Sequence, residues 1–418
     1  METRKAFRYR IYPTPAQEAR LVEWENALRA LWNAALEQRL HALSRVRHHR
    51  RYLTAFDQIN ELKQLRAENP WLADVPRDVE AQLLVELDKA WQRCFKKLAR
   101  GPRWKKKGRD FVTICEPHRK AFRLEQSDVV FPKLGALKAV VHRPVEGKPK
   151  TCSIARDGDQ WFASISCVLE VQDPVRPDGE PVALDRGVAN LLADSDGRIV
   201  EHPRWLKRQE NRLAHTQRVV SRRKKGSKNR DKAKKRLARL HRKVRRQRDH
   251  VLHCEAKHYA NSHGTVVVEK LQVRNMTRSA RGTVEQPGRH VGAKAGLNRA
   301  ILEGGWSKFA NFVAYKSAWA GSSFVEVPAA YSSQTCAVCG TVDKASRPSQ
   351  AEFVCVACGH RDHADINAAK VLLGRGIHGQ AACGGSAEVG RPKKQELRVV
   401  RRGPRRGLEP KAPDFSPG

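Results

Sequence analysis

Acidic residues are in short supply in this 418-residue chain: 44 Asp and Glu face 81 Lys and Arg, a formal net charge of +37. Long apolar runs are missing too. No stretch approaches the ~18 consecutive apolar residues of a transmembrane helix, so no membrane partner is expected. The opening METRKAFRYRIYPTP has no apolar h-region, so a secretory leader is not expected either. Ten cysteines are too sparse for a disulfide scaffold. With 40% apolar residues the chain can still bury a core, and its length is a prior of roughly two to four domains. The expectation is a soluble, intracellular, strongly basic protein.

The positive charge is clustered. Residues 204–248 hold 21 Lys or Arg against two acids, Glu210 and Asp231. Residues 95–109, FKKLARGPRWKKKGR, hold eight basic residues and no acid, and residues 391–418 hold nine against three. Such density costs self-repulsion in the free protein, which a polyanion relieves. A solvated surface or a targeting address has the same composition. Several separate basic segments, one of them with helical apolar spacing, favour nucleic acid. Candidate phosphate contacts are Arg103, Lys105, Lys106 and Lys107, and Arg222, Arg223, Lys224 and Lys225. Leu206, Leu213 and Val220 precede Gly226-Ser227, and Leu237, Leu240, Val244 and Val251 follow it. That spacing predicts two basic helices joined by a turn, one face packing and the other meeting phosphate.

Along the chain, FRYRIY at Phe7 alternates like a strand. Thr14-Pro15 then offers an N-cap and a first-turn proline, and Leu21, Trp24, Leu28, Leu31 and Ala35 follow at three- and four-residue steps. Further helices are predicted over 53–67 and 77–98, split by loops at Pro70 and Pro76. After Arg109 the texture turns to short strands, including a hairpin with its turn at Asp157-Gly158. A Pro-rich linker, VQDPVRPDGEP, ends at Pro181. The next part reads as mixed α/β, with buried strands VALD (182–185), TVVVE (265–269) and FVEV (324–327) and a hairpin at Asp196-Gly197. One long amphipathic helix is predicted over 296–320 and another from Asp365 to about Leu373, with disorder expected from Gly374 onward.

Cys336 and Cys339, then fifteen residues, then Cys355 and Cys358 fit a four-cysteine zinc pattern, with Gly340 and Gly359 following the two pairs. Four thiolates close the tetrahedron and leave no position for water, so this zinc is structural. It could contribute on the order of 10–16 kcal/mol to a module with little core of its own. Cys94, Cys115, Cys152, Cys167, Cys254 and Cys383 are isolated and read as buried or free thiols.

Asp185 and Glu269 each end an apolar strand, and Asp365 sits at a helix start in HADINAAK. A carboxylate at the end of a buried strand is expensive unless solvated, paired or bound to metal. Any one of the three alone reads most simply as a strand-end or N-cap acid. Three from separate segments of one α/β region are harder to dismiss, because such a set can hold two divalent ions about 3.5–4 Å apart for phosphodiester hydrolysis. Mg²⁺ suits such oxygen ligands.

These segments together resemble the TnpB (OrfB) family of insertion-sequence proteins, RNA-guided nucleases related to the type V CRISPR effectors. The resemblance runs from about residue 7 to residue 385. It is carried by YPTPAQEARL at Tyr12, GPRWKKKGRDF at Gly101, ALDRGVANLLADSDG around Asp185, VVVEKLQVRNM around Glu269, GLNRAILEGGW at Gly296, VPAAYSSQTCAVCG at Val327 and CGHRDHADINAAK around Asp365. Val371 departs from it, standing where an Asn is common. The resemblance implies a multidomain α+β fold with an RNase H-like RuvC nuclease domain over 179–330 and 360–390. A basic helical hairpin would be inserted at 203–250 and a zinc ribbon at 331–359. A wedge β-barrel over 1–12 and 107–178 would be interrupted by a helical recognition lobe at 13–106, and a disordered basic tail would fill 391–418.

The same resemblance implies Asp185, Glu269 and Asp365 as a Mg²⁺-binding catalytic triad. It implies an omega-type guide RNA from the transposon end, and cleavage of double-stranded DNA beside a short transposon-adjacent motif, in a prokaryotic cytoplasm at the nucleoid. Gln82, on the recognition-lobe helix, is nominated for reading that motif. Two rivals stay open: an unguided, structure-selective nuclease on the same fold, and a non-catalytic nucleic-acid-binding regulator. A strand-transfer transposase lacks support, since no compact His-hydrophobe-His with a nucleophilic Tyr is present.

Overall fold

The computed structural model describes residues 2–44 and 52–381, so the predicted tail at 391–418 and Cys383 lie outside the described residues. Two sheets, each with its own helices, make the protein multidomain α+β. No helix among the described residues is long and apolar enough to cross a membrane.

The first strand, β1 (Glu2–Tyr12), turns Phe7, Tyr9 and Ile11 inward by simple alternation. The chain then leaves the sheet for four helices: α1 (Pro15–Ser44), α2 (Ala55–Glu68), α3 (Pro70–Ala73) and α4 (Arg77–Phe95). At the start of α1, Gln17 N donates to Thr14 Oγ1 (3.3 Å) while Thr14 N donates to Gln17 Oε1 (2.9 Å), the reciprocal cap that the Thr-Pro pair predicts. Six strands follow: β2 (Ile114–Glu116), β3 (Arg123–Glu125), β4 (Asp128–Phe131), β5 (Gly135–Val140), β6 (Lys148–Asp157) and β7 (Gln160–Glu170). Their order is β2-β6-β7-β1-β5-β4-β3, every pairing antiparallel, with β1 in the middle. The outer strands β2 and β3 share no ladder, so this sheet curls without closing through hydrogen bonds. Leu21, Trp24, Leu28 and Leu36 of α1 and Leu83, Leu84 and Leu87 of α4 join its inner residues in one core.

The second sheet has β8 (Val182–Asp185), β9 (Asn190–Asp194), β10 (Ile199–Glu201), β11 (Thr265–Lys270) and β12 (Ser323–Pro328), in the order β10-β9-β8-β11-β12. β11 lies between two parallel neighbours, β8 and β12, which is why TVVVE is apolar without alternation. The predicted basic helices are α5 (Trp205–Arg222) and α6 (Lys228–Ser262), separated by Gly226 at φ 85°. α6 runs twelve residues past the expected boundary at 250, because Leu252, Ala256 and Tyr259 pack on the sheet with Phe309 and Val313.

Two expectations are corrected here. After the short α7 (Val273–Met276), the single helix expected over 296–320 is two, α8 (Val291–Gly304) and α9 (Trp306–Ala320), broken where Gly305 adopts φ 65°. The disorder expected from Gly374 gives way to helix: α10 (Ala364–Ala381) covers the opposite sheet face, with Leu372 against Ala183 and Val267. A Cβ at Gly376 would come within 2.5 Å of Val267 Cγ2, so this glycine permits close approach of helix to strand. Between β12 and α10 lies a small hairpin, β13 (Glu352–Val354) and β14 (Arg361–His363), whose core is Cys336, Phe353, Cys355 and Ala364.

Candidate functional site

The parallel register sets Leu184 of β8 opposite Val268 of β11, so Asp185 and Glu269 emerge side by side at the carboxyl edge of the two strands. Asp365 comes from the first turn of α10, which lies across β8 and β11. The structure thus brings the three predicted acids together. Glu269 and Asp365 are buried, at 6% and 7% exposure. Asp185's carboxyl is held well above the usual carboxylate range, first by burial, then by the charge of Glu269 and a hydrogen bond to it, then by the charge of Asp365, with Arg347 opposing.

Three residues that the sequence reading missed arrange these acids. Arg186 N donates to Glu269 Oε1 (3.0 Å), and the buried Arg186 side chain donates to the carbonyls of Trp306 (3.0 Å) and Glu269. Asn190 Nδ2 donates to Asp365 Oδ2 (3.2 Å), and Arg347 Nη2 donates to Asp365 Oδ1 (3.0 Å). Arg186 follows Asp185 directly and carried a local signal. Asn190 and Arg347 carried none, since their partners come from distant segments. The site offers oxygen donors only, and its negative charge is crowded, which fits a hard divalent cation such as Mg²⁺.

The four zinc-pattern cysteines also meet. Among the described residues they alone bring three or more ligand atoms within 4.8 Å of one another; the acid trio is spread more widely. Cys336 Sγ lies 3.7 Å from Cys358 Sγ, and Cys339 Sγ 3.6 Å from Cys355 Sγ. Four Zn–S bonds of about 2.3 Å in a tetrahedron require edges of about 3.8 Å, so the thiols fit zinc. The two knuckles repeat one backbone pattern. Gly340 N donates to Cys336 O and Gly359 N to Cys355 O, both at 3.0 Å, with both glycines at positive φ. The Thr341 hydroxyl beside Cys339 draws that thiol down to about 6. Asn367, fully buried, accepts from Ala337 N (2.9 Å) and donates to Thr335 O (2.8 Å), fastening the first knuckle to α10 two residues from Asp365. The isolated Cys94, Cys115, Cys152, Cys167 and Cys254 are free thiols, as read.

The proposed nucleic-acid contacts are scattered rather than gathered at the acids. Gln82, half-buried on α4, donates to Glu86 Oε1 (2.8 Å) on the same helix. Arg103 is exposed and pairs with Asp110 at 3.2 Å, while Lys106 and Lys107 are exposed. Lys105 is tucked over Trp32, its ammonium 4.4 Å from the ring centroid, and burial lowers its pKa. Arg222, Arg223, Lys224 and Lys225 are exposed at the α5–α6 tip.

Comparison with known proteins adds three family matches: "Probable transposase" (OrfB_IS605) over residues 164–280, a helix-turn-helix domain of the same family over 1–47, and a Cas12f1-like TNB domain over 306–372. Of the 1–47 span the described residues, 2–44, hold a strand and one 30-residue helix, with no helix-turn-helix among them. The chain is 36% identical over 396 residues to "Putative RNA-guided DNA endonuclease InsQ" of Escherichia coli K12, covering 95% of this chain and 98% of that protein. It is 30% identical over 405 residues to a "Putative RNA-guided DNA endonuclease" of Streptomyces pristinaespiralis, covering 96% and 95%. A Cas12f1-sgRNA-target DNA complex aligns at TM-score 0.46 and 14% identity, over 89% of this chain and 99% of that one. Identity of this extent, over nearly the full length of both curated proteins, means that the chain belongs to the TnpB (OrfB) family, related to the type V effectors.

Proposed function

We propose that this chain is an RNA-guided endonuclease that cleaves double-stranded DNA at a single RuvC-type site made by Asp185, Glu269 and Asp365. The observation that carries the reading is the meeting of three acids from separate segments at one strand edge, in a chain whose full-length relatives bear that activity in their names. In this reading 179–330 and 360–390 form the RNase H-like domain, 203–250 its basic hairpin and 331–359 the zinc ribbon. The curled sheet of 1–12 and 107–178 serves as the wedge, and 13–106 as the recognition lobe reading the transposon-adjacent motif.

Asp185, Glu269 and Asp365 would hold Mg²⁺, which would supply water activation and charge stabilisation at the leaving oxygen. The chain's own contribution is positioning: the Arg186 amide fixes Glu269, and Asn190 and Arg347 fix the two oxygens of Asp365. The cysteine quartet would hold Zn²⁺ as a structural group, keeping Arg347 beside Asp365. Guide RNA of the omega type reads sequence by base pairing while basic surfaces hold its backbone.

The test is to sequence the RNA that co-purifies with protein expressed together with its downstream DNA, then to challenge the complex with matching plasmid. One discrete RNA species, with cleavage that is lost in Asp185→Ala while RNA is retained, supports the reading. Heterogeneous RNA overturns the guide, and cleavage surviving in Asp185→Ala overturns the triad.

A further inference from the structure

α6 has 35 residues, about 50 Å, and leads through a two-residue link into β11, whose six residues span about 20 Å. Its N-terminal half therefore overshoots the sheet at the end where β11 carries Glu269. The β6–β7 turn of the other sheet docks on this overhang. Arg242 donates to the Asp157 carbonyl and to Asp159 Oδ1 (2.6 Å), Arg239 donates to Asp159 Oδ2 (2.8 Å), and Arg245 donates to the Asp157 carboxylate. Those three arginines occupy both acids of the turn.

Three more guanidinium groups gather beside the clamp. Arg8 lies 4.0 Å from the Phe162 ring centroid and Arg246 5.5 Å from the same ring. Arg10 stands opposite Phe162 in the β1–β7 ladder and lies over Tyr12 at 4.6 Å, its Nε buried without a hydrogen bond. Arg246 donates only to the neutral Gln160 Oε1, at 3.0 Å. Among the described residues none of the three forms an ion pair. Burial lowers the pKa of Arg8 and Arg246; among the neighbouring charges Asp157 raises both, while Arg246 and Arg245 lower that of Arg8, and Arg242, Arg245 and Arg10 lower that of Arg246. Phe162 is only 8% exposed, so the ring that Arg8 and Arg246 share offers a base nothing to stack on, whereas Tyr12 beside Arg10 is 44% exposed. The seam offers guanidinium forks, whose geometry matches phosphate.

We infer that Arg8, Arg10 and Arg246 form a seat for the phosphate backbone of the bound RNA, at the seam between the two sheets. The naming of RNA rests on the guided reading above. The crowding of like charge is a permanent feature of the free protein, so it is relieved by the strand carried before any target arrives. Because Arg8 and Arg10 belong to one sheet and Arg246 to the other domain's helix, one stretch of backbone bridges the two.

The test compares wild type with Arg8→Gln/Arg246→Gln in binding a single-stranded RNA oligonucleotide, and a DNA oligonucleotide of the same sequence, across a salt series. Each lost contact to a single strand lowers the slope of log affinity against log salt by about 0.7, so the double variant should lose about 1.4 in slope on RNA. Arg8→Lys/Arg246→Lys, which keeps the charge, should keep the slope and shows that the seam still folds. An unchanged slope in the Gln variant overturns the seat. A loss confined to DNA overturns the assignment to RNA in favour of the target strand. Failure of the guided reading would show separately, as wild-type protein that carries no discrete RNA.

Discussion

Asn367 uses both ends of its amide to hold the first cysteine knuckle against α10, and among the described residues no other hydrogen bond reaches those two backbone groups. Asn367→Leu would leave the buried Thr335 carbonyl unpaired, at about 1–3 kcal/mol, and the half-buried Ala337 amide with it. The expected outcome is a lower melting temperature, together with weaker zinc retention against a chelator; a variant that melts with wild type would remove Asn367 from this role. Asp185 works in the opposite direction. Its raised pKa reports that its charge is unwelcome in the metal-free fold. Asp185→Asn should therefore raise the melting temperature of the metal-free protein at neutral pH while abolishing cleavage, the trade between stability and activity common at charged sites. Calorimetry on metal-free protein checks the first half and a plasmid assay the second.

Among the elements, α10 is the most constrained by its neighbour. Gly376→Ala drives a methyl group into Val267, within 2.5 Å of one branch and 2.9 Å of the other. Overpacking of this kind costs about 1–3 kcal/mol, so the denaturation midpoint should fall; an unchanged midpoint would mean that α10 shifts freely. The same glycine shows where the sequence was unreadable. Local periodicity marked β8, β11 and α1, because burial on both sheet faces or on one helix face is written into adjacent residues. Gly376 looked like part of a disordered tail beginning at Gly374, since its reason lies on β11, more than a hundred residues away. The break at Gly305 was hidden within a continuous apolar spacing. Asp185 and Glu269 were legible as strand ends and Asp365 as a helix start, and their partners Asn190 and Arg347 were not. Arg8 and Arg10 passed as the outer face of an alternating strand until β7 and α6 were beside them.

For the molecule as a whole, the joint between the two sheets is ionic and titrates. Burial pushes the Asp159 carboxyl up, but hydrogen bonds from Arg242 and Arg239 outweigh it and draw it down to about 2. Against an unfolded value near 3.9 that difference corresponds to about 2–3 kcal/mol. A lowered carboxylate pKa stabilises above the unfolded value, so this contribution is complete above about pH 4 and lost as pH falls toward 2. Asp159→Asn should lower stability at neutral pH, with the gap to wild type closing in acid; a gap independent of pH would count against the clamp. The net charge of +37 predicts a further response: bound RNA should raise the melting temperature, and less so as salt increases.

The place of β1 in its sheet has a consequence for biosynthesis. It leaves the ribosome before the other strands of its sheet, and both its neighbours come late: β5 ends at Val140 and β7 at Glu170. At roughly 5–20 residues per second, β1 waits on the order of ten to thirty seconds for β7. Contacts of α1 with α4 and of α2 with α4 can form during that interval, since all lie within the segment already made. The nascent chain thus carries a helical lobe tethered to a lone amphipathic strand with two open edges, a template for pairing with foreign chains. Translation that stalls between α4 and β5 would leave the protein in its most aggregation-prone form.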